Sequence, residues 1–307
     1  MQQLISNLIS FLIMIAIGYV ISSKKFVSDK IVADLSYVVI NVCVPFMLFD
    51  AVVQPFDSRA LTYGVSAAGL TIVIILVAYA IGLVTKKIFK VEKKDAPGWI
   101  LGCTFSNNGF MGFPVINAIY GKQGLFINSF SNIGFQLILY SLGVYTVAKD
   151  RGGKLDLKAI FGNKLMISCF IAIFMYFFRI PIPGIISPLV KMLSNATSPM
   201  AMLVIGLKLG EYNLKDVFFD KALYKLTFVR LIISPAATIA LFALLPLPAE
   251  LKPVENVLII VMGMPIAANC TSLANTYGKD THLLAKATAL SSTLCMFTIP
   301  LLYLIIG

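Results

Sequence analysis

Charge is scarce in this sequence. Only 13% of its 307 residues are Asp, Glu, Lys or Arg, histidine occurs once, and the five cysteines are spread singly along the chain. Each shortage removes a class of function. Soluble domains carry about 25% charged residues, so this chain cannot clothe a water-facing surface. Metal centres need His and Cys at short, regular spacing. Here Cys43, Cys103, Cys169, Cys270 and Cys295 sit in separate apolar runs and His282 stands alone, so all six read as packing residues, and no metal or cofactor is expected. No hydrolase-type triad or phosphate loop can be assembled from this inventory, and an enzyme is not expected.

What fills the chain instead is hydrocarbon, at 59% hydrophobic residues and a mean hydropathy of +0.90. The reading is an integral membrane protein with lipid as its surroundings. A helix needs about 20 apolar residues to cross a bilayer. Charges and turn residues cut the sequence into ten such stretches, near 4–22, 31–53, 60–85, 97–120, 124–148, 160–178, 184–209, 222–245, 254–277 and 281–306. The runs are continuous, whereas strands of a membrane barrel alternate over about ten residues, so the fold expected is an all-α polytopic bundle of ten transmembrane helices.

The net charge of +11 is a topology signal. Eighteen of the 25 Lys and Arg lie on the side of the loops after spans 1, 3, 5, 7 and 9, in those loops or at the adjoining span ends. The other side has Arg59, Lys122, Arg179, Lys191 and Lys252, while Lys208 and Arg230 lie deeper within spans. The excess of basic residues in cytoplasmic loops places both termini on the extracytoplasmic side of the cell membrane, and nucleic acid is not an expected partner. Nothing basic precedes span 1 and Lys24 and Lys25 follow it, so it is expected to remain as a helix rather than be cleaved.

Internal similarity divides the chain. Asn41-Val-Cys-Val-Pro45 in span 2 parallels Asn195-Ala-Thr-Ser-Pro199 in span 7, and Tyr120-Gly121-Lys122 closing span 4 parallels Tyr277-Gly278-Lys279 closing span 9. The offsets, 195 less 41 and 277 less 120, are 154 and 157. Two five-span repeats follow, over 1–152 and 153–307. Because five is odd, the second copy enters the membrane from the opposite side, an inverted repeat of the kind secondary transporters use.

Spans 4 and 9 are poor helices at matching places. Span 4 contains Ser106-Asn107-Asn108-Gly109, Gly112 and Pro114; span 9 contains Gly263, Pro265 and Asn269. Proline removes a helix hydrogen bond, glycine weakens helix preference, and unpaired backbone at membrane depth is tolerated only inside protein or beside a watery cavity. Paired breaks therefore point to a central site, although two proline kinks with close helix packing would leave the same trace.

The run from Ser106 to Pro114 ending in Tyr120-Gly121, Met264-Pro265 followed by Leu273-Ala274 and Tyr277-Gly278, and Pro199-Met200-Ala201-Met202 running into Ile205-Gly206-Leu207 resemble the auxin efflux carrier family. The resemblance implies that helices 4 and 9 cross at their breaks, that scaffold and transport domains are each built from both repeats, and that the protein is a homodimer. Family substrates are organic anions: auxin in plants, and malonate, malate or related carboxylates in bacteria. The short connection at about 149–160 is like that of bacterial members. By the resemblance Asn107 faces the substrate carboxylate, Pro114 and Pro265 flank the crossing, Asn108 stands where plant members tend to have a hydroxyl residue, and Ser106 replaces a proline of plant members.

The residues support such a site by themselves. Half-helix N-termini present free amides and partial positive charge, and the carboxamides of Asn107, Asn108 and Asn269 donate hydrogen bonds while uncharged, so an anion could be held with no permanent countercharge. Ser106 and Gly109 complete the substrate-facing turn, and Gly112 belongs to the break. Ionisable groups inside a span are functional candidates: Lys208 as a site residue or a snorkelling one, Arg230 as an attractant in a vestibule or a helix anchor. Asn41 and Gln136 either line the cavity or bond between helices. The function expected is a secondary transporter of a small organic anion, with lipid and substrate as partners. The alternatives are a sodium- or proton-coupled carrier of the bile-acid symporter or cation antiporter type, and a non-transporting receptor. All 14 Asp and Glu lie in loops or near span ends, so transport is not expected to require sodium.

Overall fold

The computed structural model describes residues 2–52, 59–148, 162–212 and 217–306. The boundary expected between the repeats, at 152/153, lies outside them. Regular structure among the described residues is helical. α1 (Gln2–Ser23) is followed by α2 (Asp29–Val38) and α3 (Val44–Val52), joined through a wide π turn at Val39–Cys43; then come α4 (Arg59–Ile88), α5 (Ala96–Thr104), α6 (Phe113–Ile138) and α7 (Val144–Ala148). The second half holds α8 (Lys164–Phe177), α9 (Ser187–Gly210), α10 (Lys221–Phe228), α11 (Ser234–Leu244), α12 (Lys252–Met262), α13 (Ala268–Thr276) and α14 (His282–Ile306).

Among the described residues, six continuous helical stretches are long and apolar enough to cross a membrane: Lys30–Ala51, Arg59–Ile88, Asn108–Ala148, Ser187–Gly210, Lys221–Leu244 and His282–Ile306. Ile9–Ser23 and Lys164–Phe177 are shorter apolar helices. Span 9, read from the sequence as one stretch, is two short helices, α12 and α13, because the chain between them is not helical. The boundary between spans 4 and 5 falls at Gly121, which turns the chain inside α6 with φ 58°. Gly278, at the same place in the second Tyr-Gly-Lys, has φ 65°. A left-handed conformation at both positions explains why each motif carries glycine.

The outer surface is apolar, as lipid requires. Ile9, Ile13, Ile17 and Val20 recur on one face of α1 and are each about half exposed. The opposite face meets α9 at unusually short range: a Cβ at Gly206 would lie 2.1 Å from the Ile15 carbonyl oxygen, and one at Gly18 2.2 Å from that of Leu203. Small residues allow helix backbones to touch where no hydrophobic force drives them together. α3 packs between α9, α8 and α6, while α4 packs along α5 and α6. One apolar core surrounds α3, α6, α9 and α12, and a second surrounds α5, α10, α13 and the start of α14.

Candidate functional site

The two interruptions meet. After α5 the chain is extended at Phe105, with φ −102° and ψ 118°, and after α12 it is extended at Ala267, with φ −67° and ψ 127°. Ser106 and Ile266 face each other as an antiparallel bridge. The Asn107 N–H donates to the Pro265 carbonyl at 2.8 Å and the Ala267 N–H to the Phe105 carbonyl at 3.0 Å, while the Ile266 N–H donates to Ser291 Oγ at 3.2 Å. Each break thus supplies partners for amides that the other leaves without a helix, and Pro265, lacking an N–H, acts only as acceptor. Pro114, which has no N–H to donate, follows directly on the wide π turn Asn108–Gly112 at the start of α6.

The C-terminal ends of α5 and α12 converge on one side chain. Arg230, on the π turn Val229–Ile233, is 0% exposed. Its Nη1 donates to the carbonyls of Cys103 (3.0 Å) and Thr104 (3.2 Å), Nη2 to that of Met262 (2.7 Å), and Nε to that of Met264 (3.1 Å). Unpaired carbonyls at a helix C-terminus carry partial negative charge, and a guanidinium offers five donors in a fixed fork, so one residue answers both ends. Of the two roles open to it, Arg230 therefore takes that of a helix anchor: it lines neither cavity described below and ties its own helix to the ends of α5 and α12. A sequence signal existed: two mid-span breaks create two sets of orphan carbonyls, and Arg230 is the only arginine inside a span.

The N-terminal ends look the other way. Asn107 caps the turn that follows it, its Oδ1 accepting from the Phe110 N–H at 3.3 Å, whereas α13 begins at Ala268 with no side-chain cap. Between them and α9 and α14 lies a cavity of about 350 Å³. Asn107, Phe110, Ala268, Thr271 and Ser272 line it from the broken helices, Lys208, Glu211 and Tyr212 from α9 and the turn after it, and Thr288, Ser292 and Thr293 from α14. The Lys208 ammonium stands 5.7 Å from the centre of the Phe110 ring, a cation–π distance. Thr271 Oγ1 is buried with no hydrogen-bond partner among the described residues. The arrangement is uncharged except for Lys208 and Glu211.

A second cavity, of about 340 Å³, lies on another face of α13 and shares Ser272 with the first. Asn41, Gln136, Asn163, Lys164 and Asn269 line it. Asn41 donates to the Tyr37 carbonyl of its own helix at 2.8 Å, while Gln136 is 1% exposed and its Oε1 has no partner among the described residues.

The residues singled out in the sequence therefore fall into three sets. Asn107 and Lys208 share one cavity, Asn41, Gln136 and Asn269 the other, and Ser106, Asn108 and Gly109 line neither. Ser106 is consumed by the bridge. Asn108 is fully buried, its carboxamide so close to Gly112 that a Cβ there would lie 2.8 Å from its Oδ1. Gly109 faces Leu165 of α8, 3.1 Å from where its Cβ would be. The Asn108 carboxamide, at the start of the π turn Asn108–Gly112, lies in the packing and not in the cavity, which residue order alone does not reveal. The hydroxyl wall from α14 was not foreseen; its signal is the run Thr288, Ser291, Ser292, Thr293 inside an apolar span.

Away from the cavities, Lys122 follows the Gly121 turn and pairs with Asp50 of α3 at 3.1 Å. Ser194 Oγ of α9 donates to the other Asp50 oxygen at 3.3 Å. The cavities themselves reach toward Lys164, Tyr277 and Glu211, beside the loops after spans 5, 7 and 9.

Comparison with known proteins agrees with this architecture. The profile described as Membrane transport protein matches residues 3–165 and 153–303. A protein named an uncharacterized transporter from Methanocaldococcus jannaschii is 27% identical over 300 residues, covering 94% of each chain. Another protein named an uncharacterized transporter, from Methanothermobacter thermautotrophicus, is 25% identical over 301 residues, covering 96% of each. With matches running nearly from end to end, this multi-pass chain belongs to the membrane transport protein family, the auxin efflux carrier family that its break motifs resemble.

Proposed function

We propose that the protein is a secondary transporter that carries a small organic anion, a mono- or dicarboxylate, by alternating access. The observation that carries this reading is the cavity holding Asn107, Lys208 and the uncapped start of α13. Amide donors, a helix N-terminus and one ammonium group favour a carboxylate, and the Thr271 hydroxyl, which donates to no described residue, can bond one of its remaining oxygens. Arg230 supports the same polarity, because it neutralises the negative helix ends and leaves the positive ones facing the cavity.

The chain is read as two inverted five-span repeats crossing at the breaks, with a scaffold domain and a transport domain each built from both repeats. The cavity opens toward the cytoplasmic, Lys-rich end, and the Lys122–Asp50–Ser194 cluster closes the other. A homodimer in the cell membrane, with both termini outside, is the assembly expected. Cysteine labelling at positions 93 and 252 should report opposite sides; labelling from one side refutes this topology.

Purified protein, screened by thermal shift against a panel of mono- and dicarboxylates, tests the function. Stabilisation grows as RT ln(1 + [L]/Kd) when only the folded state binds. At least one carboxylate should raise the melting temperature, and a flat response to all of them refutes the proposal. For the driving force, the inside-negative potential supplies about 2.3 kcal/mol per charge per 100 mV for an anion leaving the cell, and sodium is not required. Lys208 at the cavity wall favours one second reading, proton coupling through its ammonium. Flux into proteoliposomes with an imposed potential, with and without sodium or a pH gradient, separates these cases. A pH-gradient requirement abolished in Lys208→Gln supports the second reading, and a sodium requirement defeats both.

A further inference from the structure

A third recess, of about 470 Å³, lies apart from the two cavities beside α13 and has no part in the transport reading. It forms where the end of α4, the start of α5, the end of the α6–α7 segment and the turn after α13 come together. Four lysines, Lys86, Lys93, Lys94 and Lys279, line it against one acidic residue, Asp280. Lys94 is already engaged by Glu92 at 3.3 Å. The side-chain ammonium groups of Lys86 and Lys93 make no hydrogen bond or ion pair with any described residue. Two unpaired ammonium groups thus converge on one concave space, unlike Lys24 and Lys25, which lie on an exposed turn and line no described cavity.

The other walls indicate what accompanies the negative charge. Tyr79 and Tyr145 stand at the side of the recess, Tyr145 48% exposed toward the surroundings, with Leu83 and Ile100 beside them. Tyrosine with aliphatic neighbours at the end of a span is the composition of a membrane interface. A soluble anion has no use for that apolar wall, whereas a lipid has both a charged head and a hydrocarbon stem. Basic pockets between helices at the cytoplasmic surface suit such head groups. We propose that this recess holds the head group of an anionic phospholipid, its phosphate between Lys86 and Lys93 and its acyl chains running down past Tyr145 and Leu83.

Lipid titration of the full-length protein in detergent tests this, with native mass spectrometry counting retained lipids and thermal shift measuring stabilisation. Phosphatidylglycerol should be retained and should stabilise more than phosphatidylcholine. In the Lys86→Gln/Lys93→Gln variant its apparent affinity should fall roughly thirtyfold, five- to sixfold per lysine, from about 1 kcal/mol for each basic residue near an anionic surface. Lys24→Gln/Lys25→Gln should keep the wild-type preference. Equal retention of the two lipids, or an anionic preference lost in the Lys24/Lys25 variant and kept in the Lys86/Lys93 variant, overturns the proposal. Stabilisation by glycerol phosphate that matches phosphatidylglycerol and needs Lys86 and Lys93 would make the recess a soluble-phosphate site, which also overturns it.

Discussion

Replacing Arg230 isolates the cost of facing two half-helix C-termini at each other inside a membrane protein. In Arg230→Met the four carbonyl acceptors, at 2.7 to 3.2 Å in the native protein, lose their donors at a position with no access to solvent. Hydrogen bonds to a charged group contribute about 1.5–3 kcal/mol each. They share one guanidinium and are not additive, so the equivalent of about two such bonds, roughly 3–5 kcal/mol, is the better guide. At about 2–4 °C per kcal/mol for a chain of this order of size, the melting temperature should fall by roughly 6–20 °C. The assay is built in. Trp99 is the only tryptophan, buried on α5 with Nε1 bonded to Thr85 Oγ1 at 3.1 Å, so its emission on heating reports the helix that Arg230 holds. Arg230→Lys keeps the charge but not the fork and should fall between wild type and methionine. Melting within about 2 °C of wild type for the methionine variant, with transport intact, would refute the claim that Arg230 neutralises the two helix ends.

Asn107→Ser keeps a good helix cap but removes the carboxamide donor; its melting should stay near wild type while carboxylate affinity drops about ten- to a hundredfold, the worth of one bond to a charged acceptor, and unchanged affinity by titration removes Asn107 from the site. Lys122→Gln breaks a half-exposed ion pair worth at most about 1 kcal/mol, so stability should barely change while a cysteine placed near Ser194 becomes more reactive to an impermeant reagent applied from outside; unaltered labelling argues against closure there. Gly206→Ala puts a methyl group 2.1 Å from the Ile15 carbonyl and should cost about 1–3 kcal/mol or more, whereas Gly69→Ala, with nothing within 4 Å, should stabilise by up to about 1 kcal/mol; equal melting of the pair contradicts the close α1–α9 packing. Burial beside Asp280 and Glu92 raises the Asp95 carboxyl against the pull of Lys94, so its ionised form opposes folding above the raised value, an effect lost as pH falls through that value. Asp95→Asn should therefore melt higher than wild type at pH 7, with the difference closing toward pH ~4.

Much of this protein is decided by residue order. Lipid sets a rule that sequence reveals directly: a helix must be apolar for some twenty residues, so the positions of α1, α4, α9 and α14 could be read within a few residues. Breaks are equally legible, because Gly112, Pro114, Gly263 and Pro265 weaken a helix locally, whatever surrounds it. Glycine in both Tyr-Gly-Lys triplets likewise follows from a backbone conformation that belongs to the residue itself. What sequence could not decide is direction and partnership. Asn107 and Asn108 are neighbours of the same chemistry, yet one lines a cavity and the other packs against Gly112. Asn41, Gln136 and Asn269 come together from α2–α3, α6 and α13, but across α13 from Asn107 and Lys208. Arg230 looked like a lone charge in an apolar span, and only the approach of α5 to α12 supplies the four carbonyls that make its burial tolerable. A break is a property of a few consecutive residues, whereas a site is a set of distances between residues far apart in the chain, and those distances exist only once the helices have packed.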